Sequence, residues 1–97
     1  MGNWKLTAAK QGTVTEKMSG PPERAIEFTA DRQFKMKEDG KVVNSSYYKI
    51  TSGKYIYFTS GPGGQATKQL GTIVSQQGNQ LVLMFTGQTL QMIFEKM

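Results

Sequence analysis

Apolar and polar side chains trade places at every second position along most of this chain, in runs that are short and closely spaced. Trp4, Leu6 and Ala8 alternate with Lys5 and Thr7, and Ile26, Phe28 and Ala30 with Glu27 and Thr29. Phe34 and Met36 alternate with Lys35 and Lys37, and Ile56 and Phe58 with Tyr55 and Tyr57. Near the C-terminus Leu81, Leu83 and Phe85 alternate with Val82 and Met84, then Leu90, Met92 and Phe94 with Gln91, Ile93 and Glu95. A period of two puts successive side chains on opposite faces of a strand. No segment sustains a period of 3.6, so no long helix is expected.

Turn chemistry separates the runs. Asp39-Gly40 supplies the strongest short hairpin signal, because both positions tolerate positive φ. Asp31-Arg32-Gln33, Thr51-Ser52-Gly53-Lys54, Gln76-Gln77-Gly78-Asn79 and Thr86-Gly87-Gln88 mark further turns, and Ser60 to Gln65 is a flexible break. Two strands are read directly from their bounds, Val42 to Ile50 and Leu70 to Ser75. Residues 10–24 are the least regular: Lys10 to Met18 is polar with Val14 its main apolar member, and Ser19-Gly20-Pro21-Pro22 argues against a central strand. A single helical turn over Pro21–Arg24 is compatible with proline at its start.

About eight strands joined by short sequential turns make an antiparallel meander, and a meander leaves two edges with unpaired backbone unless it closes. The expected fold is therefore all-β: a small antiparallel up-and-down barrel of about eight strands. The 97 residues form one domain, 1–97. An interior of this size is filled by side chains or holds one small ligand.

Composition excludes much chemistry. With no cysteine and no histidine there is no disulfide, no thiol nucleophile, and no zinc or haem ligation of the usual kind. The commonest general base is missing too. Glu38 and Asp39 are adjacent beside a turn glycine, and Glu23, Glu27 and Asp31 recur at spacing four within a strand pattern, where they need not share a face. No pair is placed for acid–base work; neither an enzyme nor a cofactor is expected. The net charge of +5 is spread along the chain without a basic run, as on an ordinary solvated surface. No stretch has the ~18 apolar residues of a membrane span. No signal peptide is present, and a leader is expected to have preceded Met1.

Several of these segments resemble a family. Gly2-Asn3-Trp4-Lys5-Leu6 looks like the Gly-x-Trp start of lipocalins and other calycins. Ile26-Glu27-Phe28-Thr29-Ala30-Asp31, Tyr48-Lys49-Ile50 before Gly53, Ile56-Tyr57-Phe58-Thr59, Leu81-Val82-Leu83 and Phe94-Glu95-Lys96 resemble small bacterial lipocalin-like domains, which are often lipoproteins. The resemblance implies an eight-stranded barrel, with Trp4 plugging one end and Lys96 of the last strand covering it. It also implies an exported bacterial binding protein, periplasmic or outer-membrane-associated; a native start at Met1 would instead make it cytoplasmic. The chain departs from the pattern in having Asp31-Arg32 where Asp-Gly is usual, so that turn is expected to be of another type. It also lacks a lipid-bearing cysteine, and it is shorter than a lipocalin, with no C-terminal helix.

If the alternation holds, Phe28, Phe34, Tyr48, Phe58, Phe85 and Phe94 point inward with Leu6, Ile26, Met36, Ile50, Ile56, Leu81, Leu83, Leu90 and Met92. These aromatics fill much of such an interior, so any pocket is expected to be small and at one mouth, formed by residues 10–24 and the 60–68 loop. Phe34, Met36, Tyr48, Phe58, Phe85 and Met92 are the candidate contacts for a small apolar ligand. The outer face gathers Lys35, Lys37, Tyr47, Lys49, Tyr55 and Tyr57. Three readings apply to it: an ordinary sheet surface, a surface for a protein partner or a homodimer, and a stacking platform for single-stranded nucleic acid. The second belongs to an alternative function, an interaction or inhibitor module with a largely filled barrel that uses its loops or this face. Nucleic acid is the partner least expected of the three. Gly61-Pro62-Gly63-Gly64 lacks the Gly-Lys-Ser/Thr ending and the following helix of a phosphate loop and reads as a surface loop.

Overall fold

The computed structural model describes residues 2–18 and 23–97, and all of its regular structure is β. The strands are β1 (Gly2–Gln11), β2 (Val14–Lys17), β3 (Arg24–Phe28), β4 (Gln33–Glu38), β5 (Lys41–Thr51), β6 (Tyr55–Thr59), β7 (Ala66–Gln77), β8 (Gln80–Phe85) and β9 (Gln91–Lys96). Each of β3 to β9 pairs antiparallel with its sequence neighbour, and β9 pairs back onto β1. Eight strands thus close as a barrel, with β2 as an addition. Closure satisfies the backbone groups that an open meander would leave exposed.

The added strand was not legible in the irregular segment 10–24. The last part of β1, Ala8 to Gln11, pairs with β2, while its first part, Gly2 to Lys5, pairs with β3. Both strands therefore run along the same side of β1, one beyond the other. The helical turn expected over 21–24 falls largely outside the described residues; Arg24 itself opens β3.

The turns follow from their residues. Asp39 (φ 52°) and Gly40 (φ 80°) form the two-residue hairpin loop between β4 and β5, both in the left-handed region as Asp-Gly predicts. Asp39 also ties the turn to the start of β3: its N–H donates to the Glu23 carbonyl, and its carboxylate accepts from the Glu23 N–H, both at 2.8 Å. At the β3–β4 turn Arg32 takes φ 66°, a conformation glycine would adopt without a Cβ penalty. The turn keeps left-handed geometry despite the arginine, held by Thr29, whose hydroxyl accepts from the Gln33 N–H at 2.9 Å.

The core is Trp4, Leu6, Ile26, Phe28, Phe34, Ile56, Leu81, Leu83 and Phe94, with Tyr48, Ile50, Leu70, Ile73, Phe85 and Met92 packed against it. Each fully buried large apolar side chain contributes about 1.5–3 kcal/mol relative to exposure. Phe28 centres an aromatic group, 5.2 Å from Phe34 in a tilted arrangement and 5.1 Å from Tyr48 edge-on. Both suit the quadrupole of the rings.

Five register shifts correct the simple alternation. In β1 the register slips between Leu6 and Ala8, so Ala9 rather than Ala8 lies opposite inward-facing Met92 and is the buried alanine. Slips between Met36 and Lys37 and between Ile73 and Ser75 leave Val43 and Val74 as extra residues, both exposed. Two more in the β6–β7 pair bring Leu70 onto the core. Bulges add twist and curvature, which a small barrel needs in order to close. Ala30 lies in a turn and is exposed, and neither Phe58 nor Leu90 belongs to the core group. β7 is longer at both ends than the Leu70–Ser75 expected.

Candidate functional site

The interior is not uniformly filled. The aromatic group of Phe28, Phe34 and Tyr48 packs one region of the barrel. Elsewhere a cavity of about 290 Å³ opens between β1, β3, β4, β5, β8 and β9. Its inner walls are Leu6, Ile26, Phe85, Met92 and Phe94, and its outer part is formed by Met36, Val43, Arg24 and Glu38. Alternation places the apolar members inside, and the register brings them together: Leu6 lies across from Phe94, and Ile26 from Met36. Arg24 and Glu38 are cross-strand partners at the ends of β3 and β4, with Arg24 Nε 4.0 Å from a Glu38 carboxylate oxygen. Both side chains are about half exposed, so the pair contributes little to stability. With Lys37, which also borders the cavity, it places both signs of charge beside a largely apolar chamber.

Of the expected ligand contacts, Met36, Phe85 and Met92 line this cavity and Phe34, Tyr48 and Phe58 do not. Phe34 is fully buried among aromatic neighbours, and Tyr48 is packed edge-on to Phe28. All six point inward, but strand tilt spreads them over different heights of the barrel, and alternation carries no information about height. Of the two segments expected at the mouth, 10–24 contributes Arg24, beside Glu38 and Val43, and the 60–68 loop contributes nothing to this cavity. Pro62 and Gly63 of that loop instead border a separate shallow hollow with Ala30, Asp31, Arg32 and Tyr47. Glu38 was missed as a site residue, and Arg24 was covered only by the span 10–24. Their signal is the position just outside the apolar alternation on two hairpin-linked strands.

The Trp4 side chain is 1% exposed, and its indole N–H has no hydrogen-bond partner. Lys96 lies directly across the β1–β9 ladder from Trp4 and is exposed. The cation–ring contact found among the described residues is a different one, Lys54 at 5.0 Å from the centre of the Tyr55 ring.

On the outside, the register confirms a shared face for Lys35, Tyr47, Lys49, Tyr55 and Tyr57: Lys49 pairs with Tyr57, Thr51 with Tyr55, and Gln33 with Tyr47. Lys37 is on the same side but is engaged at home. Its ammonium lies 3.0 Å from Glu27 and 3.1 Å from the Asn3 side-chain oxygen, so it belongs to a bridge across β4, β3 and β1.

Two groups titrate away from their ordinary values. A hydrogen bond from the Thr29 hydroxyl holds the Asp31 carboxyl below the usual carboxylate range. Burial pushes the Tyr48 phenol up, opposed by the nearby Arg32 charge. A raised phenol favours the neutral form in the folded state, so its contribution is complete below the ordinary tyrosine value near pH 10 and is lost as pH rises through the raised value. Denaturant titrations at about pH 8 and about pH 11 should show an alkaline loss of stability that is smaller in Tyr48→Phe. Equal losses in the two proteins would show that Tyr48 is not its source.

Among the described residues, no group of three or more acidic side chains is placed to hold a metal ion, and no helix is long and apolar enough to cross a membrane. No protein-family model matches the sequence, and no curated protein or solved structure matches the chain.

Proposed function

We propose that this barrel is a lipocalin-like binding protein that takes a small apolar ligand into the open end of its interior, and that its role is binding and not catalysis. The observation that carries this reading is the cavity of about 290 Å³ on Leu6, Ile26, Met36, Phe85, Met92 and Phe94. An apolar cavity of about 150 Å³ stays dry and accepts benzene, and ligand pockets begin at about 300 Å³. The chamber thus suits a bicyclic aromatic or a short acyl chain, with one polar end left at Arg24, Lys37 and Glu38. Two methionines in its wall add side chains that adapt to ligands of different outline.

Thermal denaturation in the presence of naphthalene derivatives, medium-chain alcohols and medium-chain carboxylates tests the reading. A ligand at about a hundred times its dissociation constant stabilises the folded state by about 2.7 kcal/mol. Met92→Trp is expected to fill the chamber and abolish the ligand-induced shift while the unliganded protein stays folded. Absence of any shift across the series, or a shift that survives Met92→Trp, sinks the proposal.

A further inference from the structure

The charges of this chain are unevenly placed. Its seven carboxylates all fall at or before Asp39 or at Glu95, so residues 40–94 contain Lys41, Lys49, Lys54 and Lys68 and no acidic side chain. The topology turns that stretch into one continuous wall, because β5, β6, β7 and β8 are successive neighbours in the barrel. On the other side Glu27 is paired with Lys37 at 3.0 Å and Glu23 with Lys5 at 3.6 Å, and Glu38 lies 4.0 Å from Arg24. Asp31 remains an exposed carboxylate with no ion pair among the described residues, at the border, in the hollow with Tyr47 and Arg32. The wall's positive field is therefore opposed at that border by Asp31, and not by any carboxylate within residues 40–94.

Aromatic rings lie on that wall in a regular arrangement. Tyr55 and Tyr57 are two residues apart on β6, a step of about 7 Å. Tyr47 sits on β5 a diagonal away from Tyr57, about 7–8 Å by ladder geometry. Lys49 is the direct cross-strand partner of Tyr57, and Lys54 lies over Tyr55. Lys35 is one diagonal from Tyr47 on β4, and Arg32 and Asp31 both border the hollow beside Tyr47. All three rings are half-buried and retain open surface. Lys35 and Lys49 make no ion pair among the described residues.

We propose that this face binds single-stranded nucleic acid, with bases stacking on Tyr47, Tyr57 and Tyr55 and phosphates meeting Lys35, Lys49 and Lys54. Rings stepped at this spacing and interleaved with lysines match the alternation of base and phosphate along an extended strand. An acidic peptide would satisfy the charges and leave the rings without partners. A bilayer would require a large apolar side chain to insert, and the exposed ones are Val14, Met18, Met36, Val42, Val43, Val74 and Met97, none of them on the Tyr47–Tyr57 track. The proposal is independent of the interior cavity.

Fluorescence anisotropy with a labelled oligothymidylate of about twelve nucleotides tests it. With three phosphate contacts, affinity should fall about twentyfold between 50 mM and 200 mM salt. Tyr57→Ala should weaken binding at least tenfold, as expected for loss of one stacking ring. Lys49→Glu, a change on the surface, should weaken it further and flatten the salt dependence. The melting temperature of each variant shows whether it is folded, and Tyr55→Ala serves if Tyr57→Ala is not. Lack of binding at 50 mM salt overturns the proposal. So does equal binding of polyglutamate or of phosphatidylglycerol vesicles, or oligonucleotide binding unaffected by loss of a ring.

Discussion

Trp4→Ala is expected to lower the stability of this protein by about 3–5 kcal/mol and its melting temperature by about 15–25 °C. The ring is 1% exposed, on a strand that pairs with both β3 and β9, and it belongs to the main core group. Its removal leaves a void at the seam where the barrel closes, and a closed barrel has no free edge that can move in to fill it. A small domain has about 5–15 kcal/mol in total, so the variant should be close to unfolding at ambient temperature. Far-UV circular dichroism in urea is the suitable measurement, since Trp4 is the only tryptophan and its loss removes the fluorescence signal. Trp4→Phe separates packing from polarity. It keeps a large ring and removes an indole N–H that has no partner, a burial that itself costs about 1–3 kcal/mol. The phenylalanine variant should therefore lie within about 2 kcal/mol of the parent. Equal losses for both variants would show that the N–H is satisfied in solution and that Trp4 acts through more than its volume.

Gly71→Ala should be the other large effect, about 3 kcal/mol, at the upper end for overpacking a tight site. A Cβ at position 71 would lie 2.7 Å from the Met84 carbonyl oxygen and 3.1 Å from the Phe85 Cα. These are backbone atoms of the neighbouring strand, which cannot rotate away as a side chain can. The β7–β8 ladder must open locally, beside Phe85 and the cavity wall. Gly12→Ala is the matched control. Gly12 lies in the turn between β1 and β2, where a Cβ would enter open space, and only its φ of +61° opposes the change, by about 1–2 kcal/mol. Urea denaturation of the two variants should rank them clearly, with Gly71→Ala the weaker. The opposite order would mean that β7 and β8 separate easily.

These two residues illustrate what was legible beforehand. Trp4 was visible as the lone tryptophan starting an alternating run, and its inward face follows from period two. Gly71 looked like any glycine within a strand run, since close approach of two backbones is a property of the pair of strands. The same division runs through the candidate site. Met36, Phe85 and Met92 were expected to face a ligand and do line the cavity, whereas Phe34, Tyr48 and Phe58 share their inward direction without reaching it. Lys37 and Lys35 looked equivalent on one strand, yet only Lys37 finds Glu27 and Asn3 across the ladder. The carboxylate-free stretch from residue 40 to 94 was present in the sequence throughout, but it became meaningful only when β5 to β8 proved to be one wall.

Local rules were enough to determine that this chain makes short antiparallel strands, which face most of their side chains take, and where Asp39-Gly40 folds back. Side-chain period and turn chemistry depend on residues a few positions apart. The closure of β9 onto β1, the parity reversals at the bulges, the position of the cavity and the pairing of Lys37 were decided by the tertiary structure. Each depends on strands brought together from distant parts of the chain, and on whether the side chains that meet there fill the space between them.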